Sequence, residues 1–319
     1  MRPANQTFLR DFVLLGFPAS VELQPLQFFA FLMVYLLSLA FNFLIIGVVC
    51  RDSRLHSPMY FFITVFSFLE ICYTSVTMPR LLNDLYSQNK AISTFLCISQ
   101  FYFLFALGST ENFLLSAMAY DRYVAICHPL RYMSIVTQNV CLVIVLGSWM
   151  GGFLAPVLPA VFLSTTLFCG TNEIDHFYCD FPPLLHHFCN INETYKIEII
   201  FFLLACAVIL GNFLFISFVT LISYIYIIST VLKSPTSNGR KKSFSTCVSH
   251  LTVVSIFYGT LIFMYVRPSE ANTSYLDKIL SVFYSVVTPL LNPIIYSLRN
   301  TNIKSALKTI VKRQRNNKW

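Results

Sequence analysis

Apolar positions along the chain do not alternate with polar ones. They gather into seven long runs parted by short polar gaps, covering roughly residues 26–50, 58–82, 96–120, 141–163, 197–232, 244–266 and 279–298. Crossing a bilayer as a helix takes about 20 consecutive apolar residues, so each run is long enough to span. The second run ends on the polar MPRLLND, which softens its outer boundary, and the fifth exceeds what a bilayer needs, which predicts tilt or projection beyond it. Runs this continuous are helical spans and not the in–out strands of a membrane β-barrel. Beyond residue 298 the pattern changes: Ile303, Leu307, Ile310 and Val311 recur at helical spacing with Lys304, Lys308, Lys312 and Arg313 between them. Such a segment suits a helix lying in the plane of the membrane surface. The tail has no cysteine, so no palmitoyl anchor is expected there.

The predicted fold is therefore all-α, a seven-transmembrane helix bundle with a short amphipathic C-terminal helix on the inner membrane face. Its parts are an extracellular N-terminus (1–25), the bundle (26–298) and a cytoplasmic tail (299–319). No repeat, low-complexity tract or soluble domain interrupts it. The first 25 residues lack a cationic start followed by an apolar stretch, so the first span itself is expected to direct insertion.

Composition and charge add the membrane class and the orientation. Hydrophobic residues make up 56% of the 319 and charged residues only 11%, where a soluble domain carries about 25% charged residues. Lys and Arg divide 15 to 7 between the two sides of the spans, the larger share including Arg51, Arg54, Arg122, Arg131, Lys233 and the tail. The positive side faces the cytosol, which puts the N-terminus outside and the C-terminus inside a cell membrane crossed several times. The glycosylation sequons at Asn5, Asn192 and Asn272 fall on the side so defined as external. Four of the ten cysteines, Cys97, Cys169, Cys179 and Cys189, lie outside or at the outer edge. An even external set reads as two disulfides, whose pairing the spacing leaves open among three arrangements. The net charge of +8 is the cytosolic surplus expected beside anionic lipid, not a nucleic-acid signal.

Against this background one charged pair stands out. Asp121 and Arg122, flanked by Tyr120 and Tyr123, end the third apolar run at its cytosolic mouth, where charge near lipid is costly and implies a job. Around it lie LHSPMYFF (55–62), MAYDRYVAICHPLRY (118–132), SFSTCVSHL (243–251), FYG (257–259) and PLLNPIIYSLRN (289–300). In these stretches, in their order and in their placement on the spans, the chain resembles the olfactory (odorant) receptors, a branch of the rhodopsin-like class A G-protein-coupled receptors. The resemblance covers nearly the whole length.

What it implies can be read physically. A neighbouring Asp121 neutralises Arg122 at rest. Once the bundle opens, the five-donor guanidinium is free to meet a partner's carbonyls, and a helix C-terminus presents such carbonyls with a partial negative charge. The resemblance implies that the partner is the C-terminal helix of a G-protein α subunit, and it makes Asp121, Arg122 and Tyr123 the coupling end. Pro293, with no amide hydrogen, weakens the last span, and Pro289 does so one turn earlier. By the same resemblance Tyr296 and Tyr224 swing inward on activation, Asn292 and Pro293 belong to the moving part, and Tyr258 is the switch beneath the ligand. The alternative for this last span is a static proline kink. Glu70 and Glu111 are carboxylates deep in the second and third spans, which the resemblance places beside an interior sodium-type site with Asn292. The family usually has Asp where Glu70 stands, so the side chain here is one methylene longer. The bland alternative is a pair of protonated carboxyls hydrogen-bonded within the bundle. The resemblance pairs Cys97 with Cys179 and Cys169 with Cys189, with Cys97–Cys189 as the alternative. HFYCD, with His186 and His187, offers soft-metal ligands, but an oxidised Cys179 has no thiolate to give, and no metal is assigned.

Helical counting from Arg122, Tyr224 and Tyr258 gives the expected ligand-lining set: Phe101, Leu104, Phe105, Gly108, Ser109, Val208, Asn212, Tyr258, Leu261, Ile262, Tyr265, Val282 and Ser285. The set is apolar with a few hydroxyls, one amide and no charge. It suits a small, neutral, volatile molecule held by packing and one or two hydrogen bonds. The expected partners are thus an odorant, a stimulatory heterotrimeric G protein that raises cyclic AMP, and membrane lipid. No cofactor is expected beyond an interior sodium ion. No span gathers a nucleophile with a base, so an enzyme is not expected. Channels and transporters need a polar path or inverted repeats, which the chain lacks. A class A receptor for a non-odorant ligand would share the same bundle.

Overall fold

In the computed structural model the residues described are 9–17, 22–87, 90–185, 187–189, 211, 214, 216–233, 248, 250–260, 274–299 and 301–316. They are overwhelmingly helical. Helix α1 runs Gln24–Arg51 and α2 Pro58–Tyr86. Each opens with a proline in its first turn, where the missing amide hydrogen costs nothing. Helix α3, Thr94–Cys127, is the longest among the described residues; the Ser93 side chain caps it by accepting from the Leu96 N–H at 3.3 Å. A short α4 (Tyr132–Ile135) leads to α5 (Gln138–Leu154), capped by Thr137 accepting from the Val140 N–H at 3.3 Å. The fourth apolar run is broken: two residues, Ala155 and Pro156, separate α5 from α6 (Val157–Thr165). A five-residue α7 (Phe181–Leu185), α8 (Ile216–Lys233), α9 (250–260), α10 (Ser274–Val282), α11 (Thr288–Arg299) and α12 (Thr301–Asn316) follow.

Five of these stretches are long and apolar enough to cross a membrane: Gln24–Arg51, Pro58–Tyr86, Gln138–Thr165, Ile216–Lys233 and Leu276–Ile295. The rest of the fifth and sixth apolar runs lies outside the described residues. Between α10 and α11, Phe283–Val287 form a π-helical turn in which the Thr288 N–H bonds the Phe283 carbonyl. Pro289 has no N–H for the Ser285 carbonyl, so the ladder slips by one residue just ahead of it. Asn42 of α1 steadies this region, its side-chain amide donating to the Pro289 carbonyl at 3.2 Å.

The all-α expectation leaves out one feature. Three short strands, β1 (Asp11–Leu14), β2 (Ala91–Ser93) and β3 (Glu173–Ile174), form a small sheet in the order β2-β1-β3, antiparallel on one side and parallel on the other. Phe12 and Leu14 point into a core with Cys97, Phe101, Leu163, Phe168 and Cys179, and Phe12 meets Phe168 edge-on at 5.2 Å. The main core lies between α1, α2, α3, α5 and the later helices. At the far end from the sheet, α12 docks through buried Ile303 and Ala306, and Asn302 donates to the Tyr60 hydroxyl at 3.0 Å.

Candidate functional site

At the sheet end, Phe101, Leu104, Phe105, Gly108 and Ser109 recur on one stripe of α3 by helical spacing. Phe101 and Leu104 are buried, and the Phe101 and Phe105 rings lie 4.8 Å apart. Gly108 is small for a reason: a Cβ there would stand 3.1 Å from the Tyr284 hydroxyl of the π-turn. Val282 packs partly buried on the main core, while Ser285 is fully buried and donates to the Ser281 carbonyl at 2.6 Å. The stripe continues down α3 to Asn112, whose Oδ1 accepts from the Tyr258 hydroxyl of α9 at 2.7 Å. Below it, the Ser116 and Thr220 hydroxyls meet at 2.8 Å, tying α3 to α8.

The loop before α7 roofs this end. Cys97 of α3 is disulfide-bonded to Cys179, with Cα atoms 5.4 Å apart, and Cys169 to Cys189, at 5.2 Å. Gln100, one turn on from Cys97, accepts from the Cys179 N–H at 3.0 Å. His176 is buried, its Nδ1 accepting the Tyr178 N–H at 3.3 Å. The ring proton is therefore on Nε2, which donates to the Ser281 hydroxyl of α10 at 3.2 Å. Lys278 of α10 pairs with Asp175 beside it. Burial first, and the Lys278 ammonium second, hold the His176 pKa down to about 3, so the imidazole is neutral. With Cys179 oxidised, HFYCD presents no thiolate.

Midway along the bundle Glu70, Glu111 and Asn292 are all buried, and the Asn292 amide donates to the Glu70 carboxylate. At the end opposite the sheet, Asp121 is buried and accepts from the Arg122 Nε at 2.9 Å and from the Tyr132 hydroxyl at 2.7 Å. Burial, then the Asp121 charge, push the Tyr132 phenol up in pKa, so it stays a donor. The Tyr224 hydroxyl contacts Nδ1 of His250, with the rings stacked at 5.8 Å. Tyr123 packs edge-on against His128 and Tyr226.

The family profile described as olfactory receptor matches residues 31–314. Olfactory receptor 11L1 of Homo sapiens is 48% identical over 314 residues, covering 98% of this chain and 96% of that one. Olfactory receptor 6B1 of Homo sapiens is 47% identical over 310 residues, 97% of each chain, and olfactory receptor 5A1 of Homo sapiens 45% over 311, covering 98% and 97%. The chain belongs to the olfactory receptor family. It is a multi-pass membrane protein of a family of receptors, not of enzymes.

Within this receptor the structure brings Tyr284 to the α3 stripe at Gly108 and Tyr258 to its continuation at Asn112, and pairs Asp121 with Arg122 at the other end; Val282 and Ser285 flank Tyr284 on the last span. Val208, Asn212, Leu261, Ile262 and Tyr265 lie outside the described residues, as do Asn5, Asn192, Asn272 and His186 and the side chain of Tyr296. Pro293 is inside α11, one residue on from buried Asn292. Three partners were absent from the expected set. Asn112 extends the α3 stripe by one more turn, so its periodicity alone marked it. Tyr132 sits in the MAYDRYVAICHPLRY stretch, but only a chain reversal at Pro129–Arg131 brings it back to Asp121. His250 gave no local signal of its contact with Tyr224.

Proposed function

We propose that this receptor binds small, mostly neutral volatile molecules in the outer half of a seven-helix bundle and activates a stimulatory heterotrimeric G protein, raising cyclic AMP. In this reading the N-terminus and the roofing loop face outside, while α12 lies on the inner leaflet with Lys304, Lys308 and Lys312 towards anionic headgroups. One observation carries it. The single helix α3 presents an apolar, uncharged stripe beneath a disulfide-anchored roof at one end and a clamped Arg122 at the other. The Tyr258–Asn112 hydrogen bond stands between the two ends.

The mechanism follows. A ligand shifts the resting equilibrium only through its differential affinity for the open state. A molecule packed against the stripe just above Tyr258 favours the state in which that hydroxyl leaves Asn112. The helix bearing Tyr258 then moves outward, the contact of Tyr224 with His250 rearranges, and Arg122 exchanges Asp121 for the carbonyls of the G-protein helix. Glu70, Glu111 and Asn292 are the residues that would hold an interior sodium ion. The buried Asn292 Oδ1, with no protein donor among the described residues, supports that role. The test is odorant-evoked cyclic AMP in Tyr258→Phe and Tyr258→Ala receptors at matched surface expression. Loss of response is expected in both; unchanged responses in both would refute the Tyr258 switch.

A further inference from the structure

A groove of about 340 Å³ runs down the outside of the bundle between α3 and α6. Phe95 and Phe103, two of its walls, are 76% and 44% exposed. In a multi-pass protein that surface meets hydrocarbon. Its volume falls at the small end of small-molecule sites, about 300–1,000 Å³.

The hydrogen bonding of the lining restricts what can fill it. Four hydroxyl groups line the groove, and each has already given its proton to a backbone carbonyl. Thr94 donates to Arg10 at 2.8 Å, Ser99 to Phe95 at 2.8 Å, Tyr102 to Phe153 at 3.0 Å and Ser164 to Val161 at 2.7 Å. A carbonyl cannot donate, so these directions are fixed, and each hydroxyl shows the groove only lone pairs. An occupant that satisfies them must bring a hydrogen-bond donor. Ester-linked choline lipids have none at this depth; a sterol has one.

The groove is also polarised along its length. Thr94 is the first residue of α3 and Ser164 the last but one of α6, so both lie at the membrane edge. Phe103, nine residues further along α3, is about 13 Å deeper at 1.5 Å per residue, most of the roughly 15 Å of one leaflet's hydrocarbon. There the rings of Tyr102, Phe103 and Phe153 pack edge to face at 5.3–6.5 Å, a stiff aromatic floor suited to a rigid ring body. The break between α5 and α6 contributes the floor's anchor, because the Tyr102 hydroxyl bonds a carbonyl in the last turn of α5.

We infer that this groove is a sterol site: a membrane sterol of the outer leaflet lies against α3 and α6 with its hydroxyl donating to Thr94 or Ser164 and its ring system on the Tyr102–Phe103 wall. None of its lining residues belongs to the expected odorant-lining set, and the inference does not depend on which volatile the receptor detects.

The test uses the full-length receptor in cell membranes and a photoreactive sterol with a clickable tail. Excess unmodified sterol should lower receptor labelling at least fivefold, whereas the sterol 3-methyl ether, which has no donor, should lower it less than twofold. Ala160→Phe, which fills the groove, should cut labelling at least fivefold at matched surface expression. Should that variant fail to reach the surface, peptide mapping of the wild type decides, with label expected on residues 94–103 or 158–164. Equal competition by the ether, full labelling of Ala160→Phe, or label confined to other helices would overturn the proposal.

Discussion

The candidate ligand stripe stands where it does because α3 crosses α5 closely, and Gly152 makes that crossing possible. A Cβ on Gly152 would stand 2.0 Å from the Thr110 Oγ1, 2.7 Å from the Thr110 nitrogen and 2.9 Å from the Ala106 carbonyl oxygen. The hydroxyl could rotate away, but it would abandon its 2.8 Å bond to the Ala106 carbonyl, a loss of about 1 kcal/mol. The two backbone atoms cannot rotate, so the helices must separate, and overpacking of this kind costs about 1–3 kcal/mol. Replacing a helical glycine by alanine returns only about 0.5–1 kcal/mol. Gly152→Ala should therefore destabilise the receptor by about 1–3 kcal/mol. Gly147, on the same helix, has nothing within 4 Å of its would-be Cβ. Gly147→Ala should thus stabilise by about 0.5–1 kcal/mol. Thermal denaturation of the purified receptor, followed by the fluorescence of a fused reporter in size exclusion, reads both. At about 2 °C per kcal/mol, Gly152→Ala should melt about 2–6 °C lower and Gly147→Ala about 1–2 °C higher than wild type. Equal shifts of the same sign in the two variants would refute the close-crossing argument.

Further outcomes concern the roof. With its pKa held down to about 3 against an ordinary 6.5, His176 refuses a proton that the undocked loop accepts. Loop stability is then complete above pH 6.5 and falls as pH drops towards 3, by about 2 kcal/mol at pH 5. Melting of wild type at pH 7 and pH 5 should differ by more than melting of His176→Gln, and equal differences would remove His176 as the cause. The Cys97–Cys179 bridge closes a loop of 82 residues and Cys169–Cys189 one of 20. Their loop-closure contributions are about 4–5 and about 3 kcal/mol. Surface staining should accordingly fall further for Cys97→Ser than for Cys189→Ser.

Much of the architecture was legible because a membrane span advertises itself by length and continuity, whatever its neighbours do. The break at Ala155–Pro156 was hidden inside such a run, where one more proline among apolar residues carries no distinctive signal. The π-turn at Phe283–Val287 was half visible, since Pro289 flagged a weakened ladder without saying how the chain would adjust. The β-sheet was not visible at all: strands of two to four residues have no periodicity to read, and β1 finds its partners some 80 and 160 residues away. The α3 stripe followed from helical spacing. Its partners Tyr258 and Tyr284, and the return of Tyr132 to Asp121, are long-range pairings that no local pattern encodes. The cysteine pairing came from family resemblance, because spacing alone permitted three arrangements.

In the proposed mechanism the resting receptor is held by Asp121 on Arg122 and signals when that hold is lost. Asp121→Asn removes the charge, and with it roughly 1.5 kcal/mol of the charge-assisted bond, or about tenfold in the resting equilibrium. The direct measurement is ligand-independent nucleotide exchange on a stimulatory G protein in membranes with matched receptor density. Asp121→Asn should raise basal exchange several-fold, and adding Arg122→Ala should return it to the level of receptor-free membranes. Basal exchange in Asp121→Asn no higher than wild type, or exchange that survives the loss of Arg122, would rule out the Asp121–Arg122 hold as the resting restraint.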